Sequence, residues 1–231
     1  MKNSLIYKIL AELINTYNRV MRKIYKYMLK LALVVRNHYC DKKLGVETSE
    51  CYFYPSNSSA SVYKDMHIHR PIPYDKLQKV MDYLRPGQDD VFVDIGCGKG
   101  RAIFFTAMQK LKKVIGVELD KMLVDAAKEN LKNARFNNTP VEIVHADAAV
   151  FDAKDGTIFF MFNPFGPNTV KKVVDNIKKS LAVNPRTIHI AYCNPEYKYL
   201  LYTEDWLVLD NRMDDGEISI WRNRDLSIAN R

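Results

Sequence analysis

The chain has 231 residues, 47% of them apolar, with 14 Tyr and 10 Phe. That is enough to bury the core of one α/β-sized domain plus an extension, and it excludes global disorder. The formal net charge of +8 is unevenly placed: residues 1–38 hold eight Lys/Arg against the single acid Glu12, while the remainder carries 27 basic and 26 acidic groups. Basicity therefore gives the globular part no claim to nucleic-acid binding.

Cys40, Cys51, Cys97 and Cys193 show neither metal-ligand spacing nor a dense disulfide framework, so reduced thiols in a cytoplasmic protein are expected. No run of about 18 apolar residues is present, which argues against a spanning helix. The first 30 residues lack the apolar core and cleavage site of a signal peptide.

In chain order, residues 4–37 place Ile6, Leu10, Leu13, Tyr17, Val20, Ile24, Met28, Leu31 and Val35 at the spacing of one helix face. This predicts a basic amphipathic helix over 1–38. Residues 39–74 are a loop-rich connector, expected to form an acceptor-side lid, with Tyr54, Tyr63 and Tyr74 as wall candidates or simple packing. A catalytic domain is expected over 75–231. Its elements are a helix over 74–84 stopped by Pro86-Gly87, then strands over 91–94, 114–118, 141–145, 157–162 and 187–192. Helices over 99–111, 121–136 and 169–181 alternate with them. Two late strands over 206–209 and 218–221 flank a turn. The expectation is an α/β fold with a doubly wound, mostly parallel sheet and an antiparallel edge hairpin.

The first strand runs into Asp94-Ile95-Gly96-Cys97-Gly98-Lys99-Gly100-Arg101. Alternate glycines let the chain turn sharply beneath a ligand, at the positive end of the following helix. A dinucleotide pattern needs a third Gly where Arg101 stands. A carboxylate at Asp94 would repel a pyrophosphate, but it would help to hold the sulfonium and ammonium of S-adenosylmethionine. Glu118 ends the second strand, where it would accept from both ribose hydroxyls. Asp147 ends the third and could accept from the adenine amino group while the Ala148 backbone meets the ring edge; it also suits a helix N-cap.

Residues 88–165 resemble class I (Rossmann-like) S-adenosylmethionine-dependent methyltransferases. Asp94-x-Gly96-x-Gly98-x-Gly100 matches their first motif, Glu118 their ribose acid and Asp147 their adenine-proximal acid. With Gly45-Val46-Glu47-Thr48 upstream and Asn163-Pro164-Phe165 downstream, residues 41–200 are similar to a bacterial group of mostly unassigned substrate. The resemblance implies a seven-stranded sheet with an antiparallel last strand. It implies no acceptor.

Asn163 could align a nucleophilic amine, and Phe165 could stack on a planar acceptor or shield the sulfonium. The string partly resembles the Asn-Pro-Pro-aromatic motif of amino-methylating enzymes, but Phe165 stands where the second Pro would be and Gly166 where the aromatic would be. No metal ligand cluster is visible. His67 and His69 could ligate a metal or act as base, although a solvated loop is the expectation. Cys97 is expected to pack. The acceptor could be protein, small molecule or nucleic acid, with a lean to an amine nitrogen such as a protein lysine. Two other classes stay open: a non-catalytic cofactor-binding module recruited through the N-terminal helix, and a nicotinamide oxidoreductase, disfavoured by Asp94 and Arg101. The basic helix itself could pack on the body, pair with a copy, contact an anionic membrane through residues 4–37, or meet RNA.

Overall fold

The computed structural model describes residues 2–51, 65–136 and 139–224. The chain divides into two compact units, Met1–Cys40 and Asp41–Arg231.

The first unit is one continuous helix, α1 (Lys2–Leu44), whose last four residues belong to the second unit. Helix was expected to end near residue 37; it runs seven residues further. Its stop is chemical. Gly45 takes a left-handed φ of +74°, Val46 N–H donates to Asp41 O and Gly45 N–H to Lys42 O. This is the Schellman closure, which satisfies the last carbonyls. A Cβ at Gly45 would lie 2.5 Å from Asn133 O, so the residue also admits a close approach.

The second unit is built on a seven-stranded sheet in the order β3-β2-β1-β4-β5-β7-β6. The strands are β1 (Val91–Ile95), β2 (Lys113–Glu118), β3 (Val141–His145), β4 (Ile158–Phe162), β5 (His189–Cys193), β6 (Leu207–Met213) and β7 (Ile218–Asn223). All neighbours up to β5 are parallel; β7 lies antiparallel between β5 and the edge strand β6. The expected architecture is therefore present. Helices α2 (Tyr74–Leu84), α3 (Arg101–Thr106), α4 (Lys121–Asn133), α5 (Pro167–Val183) and α6 (Tyr199–Tyr202) connect it.

Period-two alternation sorts the strand residues. Val91, Val93 and Ile95 join Phe159 and Met161 under Val170, Val173, Val174 and Ile177 of α5. Phe92 turns to the other face and stacks on Phe160 at 5.7 Å. Helix α3 is shorter than expected because its start is delayed to Gly100, at φ +93°, and turns begin at Ala107. The four-residue α6 has too few periodic positions to be legible in the sequence. Strand order reverses between β1 and β4, so the loops after them part to form a crevice at the carboxyl ends, where ligands bind in such sheets.

Candidate active site at the β1–β4 crevice

The loop after β1 is shaped by its hydrogen bonds. Gly96 and Cys97 both donate N–H to Val117 O, at 2.9 and 3.1 Å, which ties the loop to the end of β2. Gly96 is required where it stands: a Cβ there would sit 2.5 Å from Pro164 Cβ. Gly98, at φ +54°, lies under the His69 ring, 2.1 Å from its Cε1 by the same construction. Gly100 makes room for the Phe104 ring. Of the three glycines, only Gly96 lines the crevice; the other two shape the loop.

The three acids expected on the ligand stand around one divided space. Asp94 and Glu118 line a narrow cavity of ≈ 50 Å³ together with Gly96, Asn163 and Phe165. Asp147 and Ala148 line an adjoining one of ≈ 450 Å³, walled by Leu119, Phe165 and Gly96. Phe165, only 5% exposed, borders both.

Asp94 is buried, and burial, with the nearby Glu118 charge, pushes its carboxyl well above the ordinary range. Glu118 is also raised, by burial first, although its carboxylate accepts N–H bonds from Gly98, Leu119 and Asp120, each at 2.9 Å. A carboxylate offers about four acceptor positions, so about one is left for a ligand hydroxyl. Asp147 Oδ1 accepts from Ala149 N–H at 2.9 Å, a local turn of the N-cap kind.

The expectation of a solvated loop at His67 and His69 is corrected. Residues 65–72 form a strap pinned across the crevice. Asp65 O accepts from Gly166 N–H at 2.7 Å, Met66 pairs with Phe165 in an antiparallel bridge, and His67 N–H donates to Pro164 O at 3.1 Å. Asp65 Oδ2 accepts from Thr169 N–H at 2.8 Å, capping α5 from a distance. That cap compensates for Gly166, whose own side chain offers none. The two imidazoles then part: His67 meets Asn163, and His69 covers Gly98.

Burial above all, then the charges of Lys99 and Arg101, hold the His69 pKa down to about 4. Its Nε2 is buried and has no hydrogen-bond partner among the described residues. The unfolded chain therefore takes up a proton between pH 6.5 and about 4 that the folded protein refuses, so stability rises with pH across that window. Replacing His69 with Gln should flatten this rise by about 3 kcal/mol in urea titrations across the window; an unchanged slope would contradict the buried neutral imidazole.

Asn163 sits at φ +41° on the exit of β4. Its Oδ1 accepts from Tyr192 OH at 3.0 Å, and its Nδ2 donates to Glu196 Oε2 at 3.1 Å. His67 Nδ1 lies 3.0 Å from Asn163 O, and Nε2 lies 3.4 Å from Tyr197 OH. The carbonyl requires Nδ1 to carry the proton, which leaves Nε2 the lone pair. His67, Asn163 and Phe162 line both the narrow cavity and an outer one of ≈ 480 Å³ that also contains Arg70, Asn194 and Glu196.

Tyr74 belongs to the core: it is 1% exposed and donates to Asp41 Oδ1 at 2.6 Å. Tyr54 and Tyr63 lie outside the described residues. Cys97 is buried as expected, with burial pushing its thiol well up. Sequence reasoning missed Met66, Tyr192, Tyr197 and Glu196. No local signal marked them, since they reach the site from the strap, from β5 itself and from the turn after it. Among the described residues no cluster of His, Cys, Asp and Glu could hold a metal ion.

Residues 92–184 match the family described as a methyltransferase domain. The sheet order above is that of the Rossmann-like, S-adenosylmethionine-dependent methyltransferase fold, which this segment resembles. A Pyrococcus horikoshii structure, described as a candidate RNA methyltransferase, has the same fold. It aligns at a TM-score of 0.54 with 19% identity, over 83% of this chain and 98% of that one. A Methanocaldococcus jannaschii protein, named only as uncharacterized, is 39% identical over 34% of this chain and 27% of its own length. A protein-lysine N-methyltransferase of Saccharolobus islandicus is 26% identical over 51% of this chain and 72% of its own. An uncharacterized RNA methyltransferase of Oceanobacillus iheyensis is 27% identical over 67% of this chain and 34% of its own. The chain thus spans about a third or less of the length of the M. jannaschii and O. iheyensis relatives.

Proposed function

We propose that the chain transfers a methyl group from S-adenosylmethionine to an amine nitrogen, such as that of a protein lysine. The observation that carries the donor reading is Asp94: a buried carboxylate, facing a cavity, with its pKa raised by burial and by the nearby Glu118 charge. A cationic sulfonium–ammonium ligand answers that need; a pyrophosphate would worsen it. Asp94 would hold the amino acid end, Glu118 a ribose hydroxyl, and Asp147 with the Ala148 backbone the adenine edge. Gly96 admits the ligand's close approach, while Gly98 and Gly100 hold the loop in shape. The ≈ 450 Å³ cavity suits a nucleoside, but the ≈ 50 Å³ on the Asp94 side does not admit the rest. His69 lines that side over Gly98, and its ring is the one we expect to move when the amino acid end reaches Asp94.

S-adenosylmethionine supplies an activated methyl carbon with a neutral thioether leaving group. In-line displacement asks the protein mainly for alignment and for a proton acceptor. His67 Nε2 would take the proton that the acceptor nitrogen sheds on methylation. Asn163 Oδ1 keeps one lone pair beyond its bond from Tyr192, suited to an N–H donor. Glu196 gives the outer cavity an anchor for a cationic side chain. Phe165 separates the two compartments and would shield the sulfonium. The Saccharolobus islandicus relative, by its name, acts on lysine.

Incubating the chain with methyl-labelled S-adenosylmethionine and fractionated lysate tests this. Label is expected in protein, recovered after hydrolysis as methylated lysine. Label in RNA, or in a carboxylate ester lost to mild base, would contradict the amine reading. Cofactor binding with no labelled fraction would favour the non-catalytic module.

A further inference from the structure

Helix α1 carries a load of exposed apolar surface that no element of its own unit covers. Of the 24 large apolar side chains exposed among the described residues, sixteen lie between Tyr7 and Tyr39. Leu10, Tyr17, Ile24 and Leu31 recur every seven residues, with Leu13 and Val20 between them, so they form one stripe along the helix. Ile14, Met21 and Met28 widen it on one side.

The opposite face is cationic. Arg19, Arg22, Lys23 and Lys26 line one surface groove with Asn15 and Asn18. Residues 1–38 hold eight Lys/Arg and one acid, while the rest of the chain is nearly neutral. Charge and apolar surface are thus both concentrated on this helix and sorted to its two sides.

We propose that Tyr7–Arg36 lies in the plane of an anionic lipid surface, apolar stripe in the acyl boundary and basic face among the headgroups. Two observations favour lipid over a second copy of the helix. The apolar sector includes Ile14, Met21 and Met28, broader than the two-position seam that a coiled coil uses. Lys23 and Lys30, which would flank such a seam, have no acidic partners: the segment's single acid is Glu12. Self-pairing would set two strongly cationic helices side by side, whereas anionic headgroups neutralise them. Among the described residues no helix is long and apolar enough to cross a membrane, which fits a helix that lies on the surface.

The test is flotation of the full chain with vesicles of phosphatidylcholine containing about one third phosphatidylserine, against phosphatidylcholine alone. Binding is expected only to the anionic vesicles, and it should weaken with salt. Changing Arg19, Arg22, Lys23 and Lys26 together to Gln should lower partitioning several hundredfold, at about fivefold per charge. Leu13→Gln combined with Ile24→Gln keeps every charge and should lose at least about tenfold. Gln is a good helix former, so circular dichroism should show unchanged helix in both variants. Absence of phosphatidylserine-dependent binding would overturn the proposal. So would full binding by the Leu13/Ile24 variant, which would mean simple electrostatic adsorption. A dimer that needs Leu13 and Ile24 and does not float would assign the face to a second copy. Binding to transfer RNA that leaves the vesicles behind would assign it to nucleic acid.

Discussion

Calorimetric titration of S-adenosylmethionine into the Asp94→Ala protein is expected to show no measurable binding, while the unaltered chain binds. Asp94 is 4% exposed and sits beside Glu118, so two carboxyls face each other in a poorly solvated corner. A cationic ligand relieves their repulsion; without Asp94 it loses its buried counter-charge. Truncating one partner of a buried charge pair costs about 2–5 kcal/mol, on the order of a hundredfold or more in affinity. Asp94→Asn keeps the shape and should lose nearly as much, which separates charge from packing. Because the carboxyls are raised by burial in the free protein, a cation must displace a proton from them. Affinity should therefore increase as pH rises above the ordinary carboxylate range, with proton release detectable in buffers of different ionisation enthalpy. Gly98→Arg should abolish binding by another route, since a side chain at φ +54° collides with His69 and disturbs the Gly98 N–H bond to Glu118. Normal affinity in both Asp94→Ala and Gly98→Arg would show that the site lies elsewhere.

Arg101→Ala is expected to destabilise the second unit by about 3–5 kcal/mol in urea unfolding. The guanidinium is 3% exposed, and each of its three nitrogens donates a hydrogen bond. It donates to Thr48 Oγ1 at 2.7 Å, Ser49 Oγ at 2.9 Å and Ile72 O at 3.1 Å, and pairs with Asp41 Oδ2 at 3.2 Å. It also lies 4.8 Å from the Tyr74 ring centre. Burial alone would raise the Asp41 carboxyl. Hydrogen bonds from Tyr74, Ser49 and Thr48 and the Arg101 charge outweigh it and hold the pKa below the ordinary value. Removing Arg101 takes away the buried counter-charge of that carboxylate and leaves it the bonds from Tyr74, Ser49 and Thr48. Arg101→Lys restores a charge without the fork and should recover only part of the loss. In acid the gap between variant and parent should close. The parent loses the Asp41 contribution as pH falls through its lowered pKa, while the variant, without the counter-charge, has less of it to lose. A gap independent of pH would mean that Arg101 acts through packing alone.

Arg101 also shows how far the sequence was legible. Its position as the residue that replaces a third glycine was readable, and it argued against a dinucleotide. Its role was not readable, because its partners Thr48 and Asp41 lie 53 and 60 residues away in the chain. The strands and their order of use were legible because β1, β2 and β4 are short, mostly apolar runs, closed by Gly96, by the acid Glu118 and by Asn163-Pro164. The glycine loop, Glu118 and Asp147 could be placed for the same reason: strand ends in this topology converge on one crevice. The strap at 65–72 was obscure because its hold on the crevice is made by backbone bonds and by Asp65 capping a helix 104 residues further on. His67 and His69 looked like loop residues since no periodicity marks a segment pinned in this way. The C-terminal extension of α1 was legible in principle from Lys42-Lys43-Leu44-Gly45, a basic last turn followed by the glycine of a helix stop.

Electron density for the chain crystallised with S-adenosylhomocysteine tests the central claim most directly. The expected result is the adenine between Phe165 and the Leu119–Ala148 wall, a ribose hydroxyl on Glu118, and the amino acid end beside Asp94 with the His69 ring displaced from Gly98. A ligand seated outside the β1–β4 crevice, or an undisturbed His69 over a crevice that excludes it, would contradict the account.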